Sequence, residues 1–354
     1  MSKKILFLFI FYLLIMSCEK NTEKFNENIS NESNRYVTNI LSNIKIKSQK
    51  IKSRKFISTP KKIKEIAFNN LFNPASGCVY DNNLFIVDAS SMLIHKISLN
   101  DTNYVVFGKG TGRGPGELIT ISDMQCSNSK IYISDPSKQT IEVYSVIGKY
   151  IKTIKLSNTS PEKFIIDNKN ENITVYNFHD NTKFFYKFNS DGILLKKFGS
   201  PLIMRHINST LYHDNILCKL SNHSFLQIPL RLGIMGYYSN DSLKFIKETI
   251  DGIRKEPNDI IYGENYVRTD RKKIFYTCII ASSNKKNILL ESIKTKNGKM
   301  ERYCDIYDKQ TLEYLYSFEQ PFRTFGILLF DEYFITYDNE KITIFEFKGN
   351  TNEK

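Results

Sequence analysis

Two stretches of the chain, "CVYDNNLFIVDASSMLIHKISLND" from Cys78 and "CSNSKIYISDPSKQTIEVYSVIGK" from Cys126, align cysteine to cysteine with one gap. Each holds an apolar run ending in an aspartate (Asp88, Asp135), a polar turn, and a second alternating run (Leu93 to Ile97, Ile141 to Tyr144). A third copy, "ENITVYNFHDNTKFFYKFNSDGILLKKFG", puts Asn177 at the aspartate's place, and a last, "EYFITYDNEKITIFEF", offers Asp338 and the run Ile342 to Phe347. The step is 47 residues from Asp88 to Asp135 and 42 from there to Asn177. A unit of that length with about four short strands cannot hide both faces of its sheet alone. It must lean on copies of itself, and such units close into a ring as the blades of a propeller.

The rest of the chain supports an all-β reading. Short alternating runs are bounded by Asn, Asp, Gly and Ser, and no segment keeps a helical period over ten residues. Residues 65 to 348 make 284 positions, about 47 each for six blades or 41 for seven. The expectation is a six-bladed β-propeller over residues 61–348, with seven blades as the alternative, and a C-terminal tail over 349–354. "IKEIAFNNLF" at Ile63 is strand-like and could pair into the last blade, which would remove an open sheet edge.

"FGKGTGRGPGEL", Phe107 to Leu118, holds five glycines. A phosphate cradle needs such glycines to end a strand and begin a helix whose amides hold the anion. Here "YVVFG" precedes and "ELITISDMQC" follows, strand on both sides, and no Gly-Lys-Ser/Thr is present. The stretch is expected to be a corner carrying the chain from the outer strand of one blade to the inner strand of the next, the glycines supplying positive φ.

This corner carries a resemblance. Phe107 to Ile154 is similar to an NHL repeat: Phe-Gly, a glycine-rich link ending Gly-Glu-Leu, a strand closing on Asp135, a Gln-X-Ile-X-Val-Tyr strand and a Gly-Lys hairpin. It departs at Ile121, where NHL repeats usually place proline. The GRGPGE form after a leader of the kind described next resembles the six-bladed, TolB-like propeller lipoproteins of Bacteroides and its relatives. The likeness is good for one blade, fair for those at 78 and 172, and poor from about 200 to 272. It implies a six-bladed ring of largely unassigned function and brings no catalytic set.

The N-terminus opens with Lys3 and Lys4, then twelve apolar residues from Ile5 to Met16, then Ser17 and Cys18. That run is too short to span a bilayer and has the charge-first order of a secretory signal. Ile15 to Cys18 resembles a bacterial lipobox, which implies a signal peptide over residues 1–17 and lipidation at Cys18. Several acyl chains would then anchor the chain to a membrane. Residues 18–60 are expected to be a tether, polar and Asn/Glu-rich to about Arg35, then basic. The address this implies is the cell envelope, exported and lipid-anchored. Glu19 lacks the aspartate that retains some lipoproteins at the inner membrane, which favours the outer membrane.

The formal charge of +13 gives no reason to expect nucleic acid. Lys3 and Lys4 lie in the leader, and nine Lys and Arg with no acid lie between Lys45 and Lys64, leaving +2 for everything else. Past Cys18, five cysteines show no CxxC pair; one bridge and several buried thiols are expected. The histidines show no zinc spacing, and no metal or cofactor is expected. There is no serine elbow, no ordered nucleophile and base, and no carboxylate pair, so turnover is not the first expectation.

A propeller places a funnel at its axis, and Arg113, Glu117 and Asp123 are the residues expected to face it and to bind there. Arg113 offers a planar fork for a carboxylate, phosphate or sugar acid, and Glu117 could pair with it or with a ligand. The competing reading has Arg113 and Glu117 bonding the backbone of their own turn. Asp88 and Asp135 are expected to hold turn amides. Function is expected to be that of a binding or scaffold module for an envelope protein, peptide or glycan. The alternative is a hydrolase or lyase with an acidic, metal-assisted funnel.

Overall fold

A computed structural model describes residues 44–67, 71–101, 103–177, 180, 183–199, 214–253, 260–262, 267–269, 275–296, 299–320 and 324–347. The secondary structure found among them is all β. Six sheets of four antiparallel strands follow one another along the chain, that of blade 4 extended to five by a short parallel strand from the N-terminal side. Blade 1 runs from Pro74–Tyr80 to Tyr104–Phe107, blade 2 from Met124–Ser127 to Tyr150–Lys155, and blade 3 from Lys163–Ile166 to Leu194–Phe198. Blade 4 runs from Asn215–Lys219 to Ser242–Glu248 and blade 5 from Phe275–Ser283 to Tyr314–Glu319. Blade 6 has Gly326–Phe330, Tyr333–Tyr337 and Lys341–Glu346, and takes its outer strand, Lys62–Ala67, from the N-terminal side. The first strands of the blades stand side by side in a circle, that of blade 6 beside that of blade 1. The ring is a six-bladed β-propeller, closed by the strand that "IKEIAF" suggested.

The packing follows the logic of the repeat. Six apolar clusters lie one at each junction between blades, such as Tyr132, Val143, Phe164 and Val175 between blades 2 and 3. Each sheet buries its faces against its two neighbours, which is why a single unit would not persist alone. Seven blades fail because residues between Asn177 and Asp338 are spent on long links and long strands. A separate hairpin, Ile260–Tyr262 with Val267–Thr269, sits between blades 4 and 5, and the middle strands of blade 5 are ten residues each.

The repeated aspartates hold the links. Asp88 accepts from the amides of Phe72, Asn73, Ser90 and Ser91, tying the link before blade 1 to a turn within it. Asp135 does the same with the Ile119 and Lys138 amides and the Thr120 hydroxyl. Burial works against the Asp88 charge, but these amides outweigh it and hold its carboxyl below the usual range. Cys78 and Cys126, the two residues that aligned the repeats, form a disulfide between the inner strands of blades 1 and 2. Cys218, Cys278 and Cys304 are free and buried.

The basic stretch departs from expectation. From Ile44 it is no free tether but a strap laid along the outer edges of blades 4 and 5. Ile46–Lys47 pairs in parallel with Ser242–Glu248 of blade 4, the Ile57 amide donates to the Ser317 carbonyl of blade 5 while the Lys55 carbonyl accepts from the Ser317 amide, and the chain then enters blade 6. Two side chains fix it. Gln49 is buried, donating to the Glu248 and Leu312 carbonyls while accepting from the Tyr314 amide. Arg54 spans a pair of carboxylates, 2.7 and 2.9 Å from Asp251 and 2.8 Å from both oxygens of Asp305. Burial disfavours the guanidinium charge, yet the bonds and charges of Asp305 and then Asp251 raise its pKa further. The basic run thus finds acids hidden in the blade 4–5 seam. The expected signal peptide over 1–17, Cys18, the first part of the expected tether and the expected tail over 349–354 lie outside the described residues.

Candidate functional site: the axial channel

The six inner strands enclose a channel of about 690 Å³ along the ring axis. It is lined by backbone and short side chains from every blade, so its chemistry comes from the few longer groups at its two ends.

At the end where inner strands begin, Asp123 precedes Met124–Ser127 of blade 2 and Lys163 opens Lys163–Ile166 of blade 3. The Lys163 Nζ lies 4.0 Å from Asp123 Oδ1 and donates to the Ser122 carbonyl at 3.1 Å. Asp123 also accepts from the Met124 and Phe164 amides. Burial raises its carboxyl pKa, opposed by Lys163 and those amides. Tyr337 of blade 6 reaches across to the same mouth because Gly326 and Gly77 leave room: a Cβ on Gly326 would overlap the tyrosine ring. Burial, and then the Asp123 charge, raise the Tyr337 phenol pKa. Phe325, 51% exposed, stands at the rim.

At the other end the inner strands turn into the second strands. Lys219 closes Asn215–Lys219 of blade 4, Lys309 follows Lys299–Asp308 of blade 5, and Asn168 comes from the first turn of blade 3. Lys285 is exposed at the rim and paired with Asp331 at 3.1 Å.

Of the three residues expected at the funnel, Asp123 lines the channel, and Arg113 and Glu117 do not. The glycine corner is a corner, with strand on both sides, and its amides are occupied by carboxylates of the chain itself. Gly114 N–H donates to Glu117 at 2.7 Å, and Gly116 N–H to the buried Glu142 at 3.0 Å. Lys138 ties the Gly114 and Glu117 carbonyls to Glu142. Gly108, Gly110 and Gly116 have positive φ, as the turn requires. Glu117 therefore serves its own turn, while Arg113 is exposed on the loop. Sequence reasoning missed Lys163, Tyr337, Lys219 and Lys309. Single residues at strand ends carry no spacing signal; the glycines that admit Tyr337, at 77 and 326, lie far apart in the chain.

Among the described residues no three His, Cys, Asp or Glu side chains are grouped to hold a metal ion. No family model and no curated protein matches the chain. Solved structures do. An exported protein of Bacteroides fragilis superposes with a TM-score of 0.58 at 12% identity, over 86% of this chain and 100% of that one. A member of the duf4221 family from Bacteroides vulgatus gives 0.56 at 9%, over 84% and 98%. A virginiamycin B lyase of Staphylococcus aureus gives 0.47 at 14%, over 80% and 98%, a likeness too remote to inform function. At these identities the likenesses show the architecture alone: this chain is a six-bladed β-propeller.

Proposed function

We propose that the chain is an exported, lipid-anchored binding module of the bacterial cell envelope, of the TolB-like/NHL kind, that receives an envelope protein, peptide or glycan at the Asp123 mouth of its axial channel. The observation that carries this reading is the channel itself. Its volume falls in the range of ligand sites, and a carboxyl, an ammonium, a phenol and an exposed aromatic ring converge at one mouth. Such a set can grip a polar segment by hydrogen bonds and cover it with a ring. Export is supported by the leader, by the lipobox-like residues up to Cys18 and by the exported neighbour.

The second reading, a hydrolase or lyase, has one observation in its favour: Asp123 is a half-buried carboxyl at the channel mouth with a raised pKa and a phenol across from it, the kind of group that can donate a proton. One experiment separates the two. Wild type and the Asp123→Asn/Lys163→Gln variant are used to capture partners from solubilised envelope, read by mass spectrometry. A partner retained by wild type and lost by the variant is expected. If wild type enriches nothing while the purified protein cleaves a glycan or lactone panel, the module reading fails.

A further inference from the structure

The opposite end of the channel holds two ammonium groups that no carboxylate among the described residues contacts in an ion pair. Lys219 Nζ donates to the Ile166 carbonyl at 2.5 Å and to Asn168 Oδ1, both neutral acceptors. Lys309 Nζ donates to the Asn284 carbonyl at 2.6 Å. Neither is in an ion pair among the described residues, whereas the neighbouring Lys130 and Lys285 each have one, with Glu171 and Asp331. Both are half-buried and line the same cavity. Burial pushes the Lys219 ammonium down to about 8, with Lys309 adding to the fall and Asp167 opposing it; burial lowers Lys309 as well. Two desolvated positive charges facing one cavity with spare donor capacity are a costly arrangement unless an anion completes it. Asn168 adds to this. Its Oδ1 is taken by Ser127 and Lys219, which leaves its Nδ2 as a further donor at the channel wall.

We propose that this end of the channel binds an oxyanion, a carboxylate or phosphate group bridged between Lys219 and Lys309. A ligand lying along the axis would then present its anionic terminus here and its polar body to the Asp123 mouth. The inference rests on the channel being the binding site, and it adds the chemical class of the ligand: a molecule with an acidic end.

The test uses the mature chain, with inorganic phosphate and acetate as probes at ionic strength held constant with chloride. Saturable phosphate binding, followed by calorimetry, should weaken about tenfold or more in Lys219→Gln and in Lys309→Gln, the loss of one charge-assisted contact. Lys219→Arg should retain binding, and Lys149→Gln, on an exposed turn of blade 2, should leave it unchanged. A stronger response to acetate than to phosphate would assign the site to carboxylates, and the reverse to phosphate groups. Wild-type crystals soaked in selenate supply a readout that needs no variant: anomalous density should lie within hydrogen-bonding distance of both Nζ atoms. Equal phosphate affinity in wild type, Lys219→Gln and Lys309→Gln, or selenate density on surface lysines alone, overturns the proposal. Partner capture that survives such a result would leave the Asp123-mouth reading standing; capture equal in wild type and in Asp123→Asn/Lys163→Gln, with phosphate binding still dependent on Lys219 and Lys309, would do the converse.

Discussion

Blades 1 to 3 and blades 4 to 6 are built from the same unit and finished differently. The outer edges of blades 4 and 5 are covered by chain from the N-terminal side, which also supplies the outer strand of blade 6, and the outer strands of blades 4 and 5 bury Ile246, Tyr314 and Tyr316. Blades 1, 2 and 3 have no such cover among the described residues, and their outer strands expose Val105, Val106, Ile151, Leu194 and Leu195. The bare edges rely on other devices: a four-residue outer strand in blade 1, and lysines along those of blades 2 and 3 (Lys152, Lys155, Lys196, Lys197). The cross-links differ too. The bare half has a disulfide between blades 1 and 2, and the strapped half an arginine clamp between blades 4 and 5. One ring is thus stabilised by covalent closure on one side and by buried charge on the other.

The sharpest way to break this contrast is Arg54→Ala. It leaves Asp305 without a cation and Asp251 with Lys294 alone, both carboxylates almost wholly buried, and should cost about 3–5 kcal/mol. Hydrogen exchange should show the loss in blades 4 and 5 first. Equal acceleration in blades 1 to 3 would mean that the ring has no halves. Next comes the double variant Cys78→Ser/Cys126→Ser, which opens a covalent loop over a separation of 48 residues and should cost about 3–4 kcal/mol by denaturant unfolding. Reductant should lower the wild-type midpoint and leave the variant's unchanged.

A third difference is acid–base. Glu291 in the strapped half is wholly buried, with Arg302 at 2.8 Å on one oxygen and no partner on the other. Burial outweighs Arg302 and pushes its pKa up to about 7. The folded state then holds a proton that the unfolded state releases near 4.5, so this group's contribution falls as pH rises from there to about 7, by roughly 1.4 kcal/mol per pH unit. Glu291→Gln should flatten urea midpoints measured between pH 5 and 8. An unchanged slope would place the titration elsewhere. Smallest of all, Leu195→Lys on the bare edge of blade 3 should move stability by less than about 0.5 kcal/mol while lowering self-association in light scattering.

The two halves were also unequally legible. Blades 1 and 2 declare themselves because Asp88 and Asp135 do a local job, bonding amides two to sixteen residues away, and so must recur at fixed places. In blade 4 the second strand ends on Pro229 instead, and the aspartate signal disappears with the local need for it. The strap was read as solvated because a run of nine cations looks so. The partners that bury Gln49 and Arg54 lie 265 and 197 residues away, beyond any pattern in the run itself. The candidate site was partly legible. Asp123 sits at a strand start next to a recognisable corner, whereas Lys219 and Lys309 acquire meaning only when blades 3, 4 and 5 meet.

The clasp formed by Lys62–Ala67 with Lys341–Glu346 also sets a schedule. A polypeptide emerging amino end first displays its early strand and the strap long before their counterparts exist: the strap's arrive with blades 4 and 5, and the strand's only within the last few dozen residues. Completion of the circle is therefore a late, all-length event, slow in the way that distant pairings are. A product truncated anywhere before residue 341 keeps an undone clasp, one truncated before blade 4 a loose cationic ribbon as well, and proteases can recognise either as unfinished.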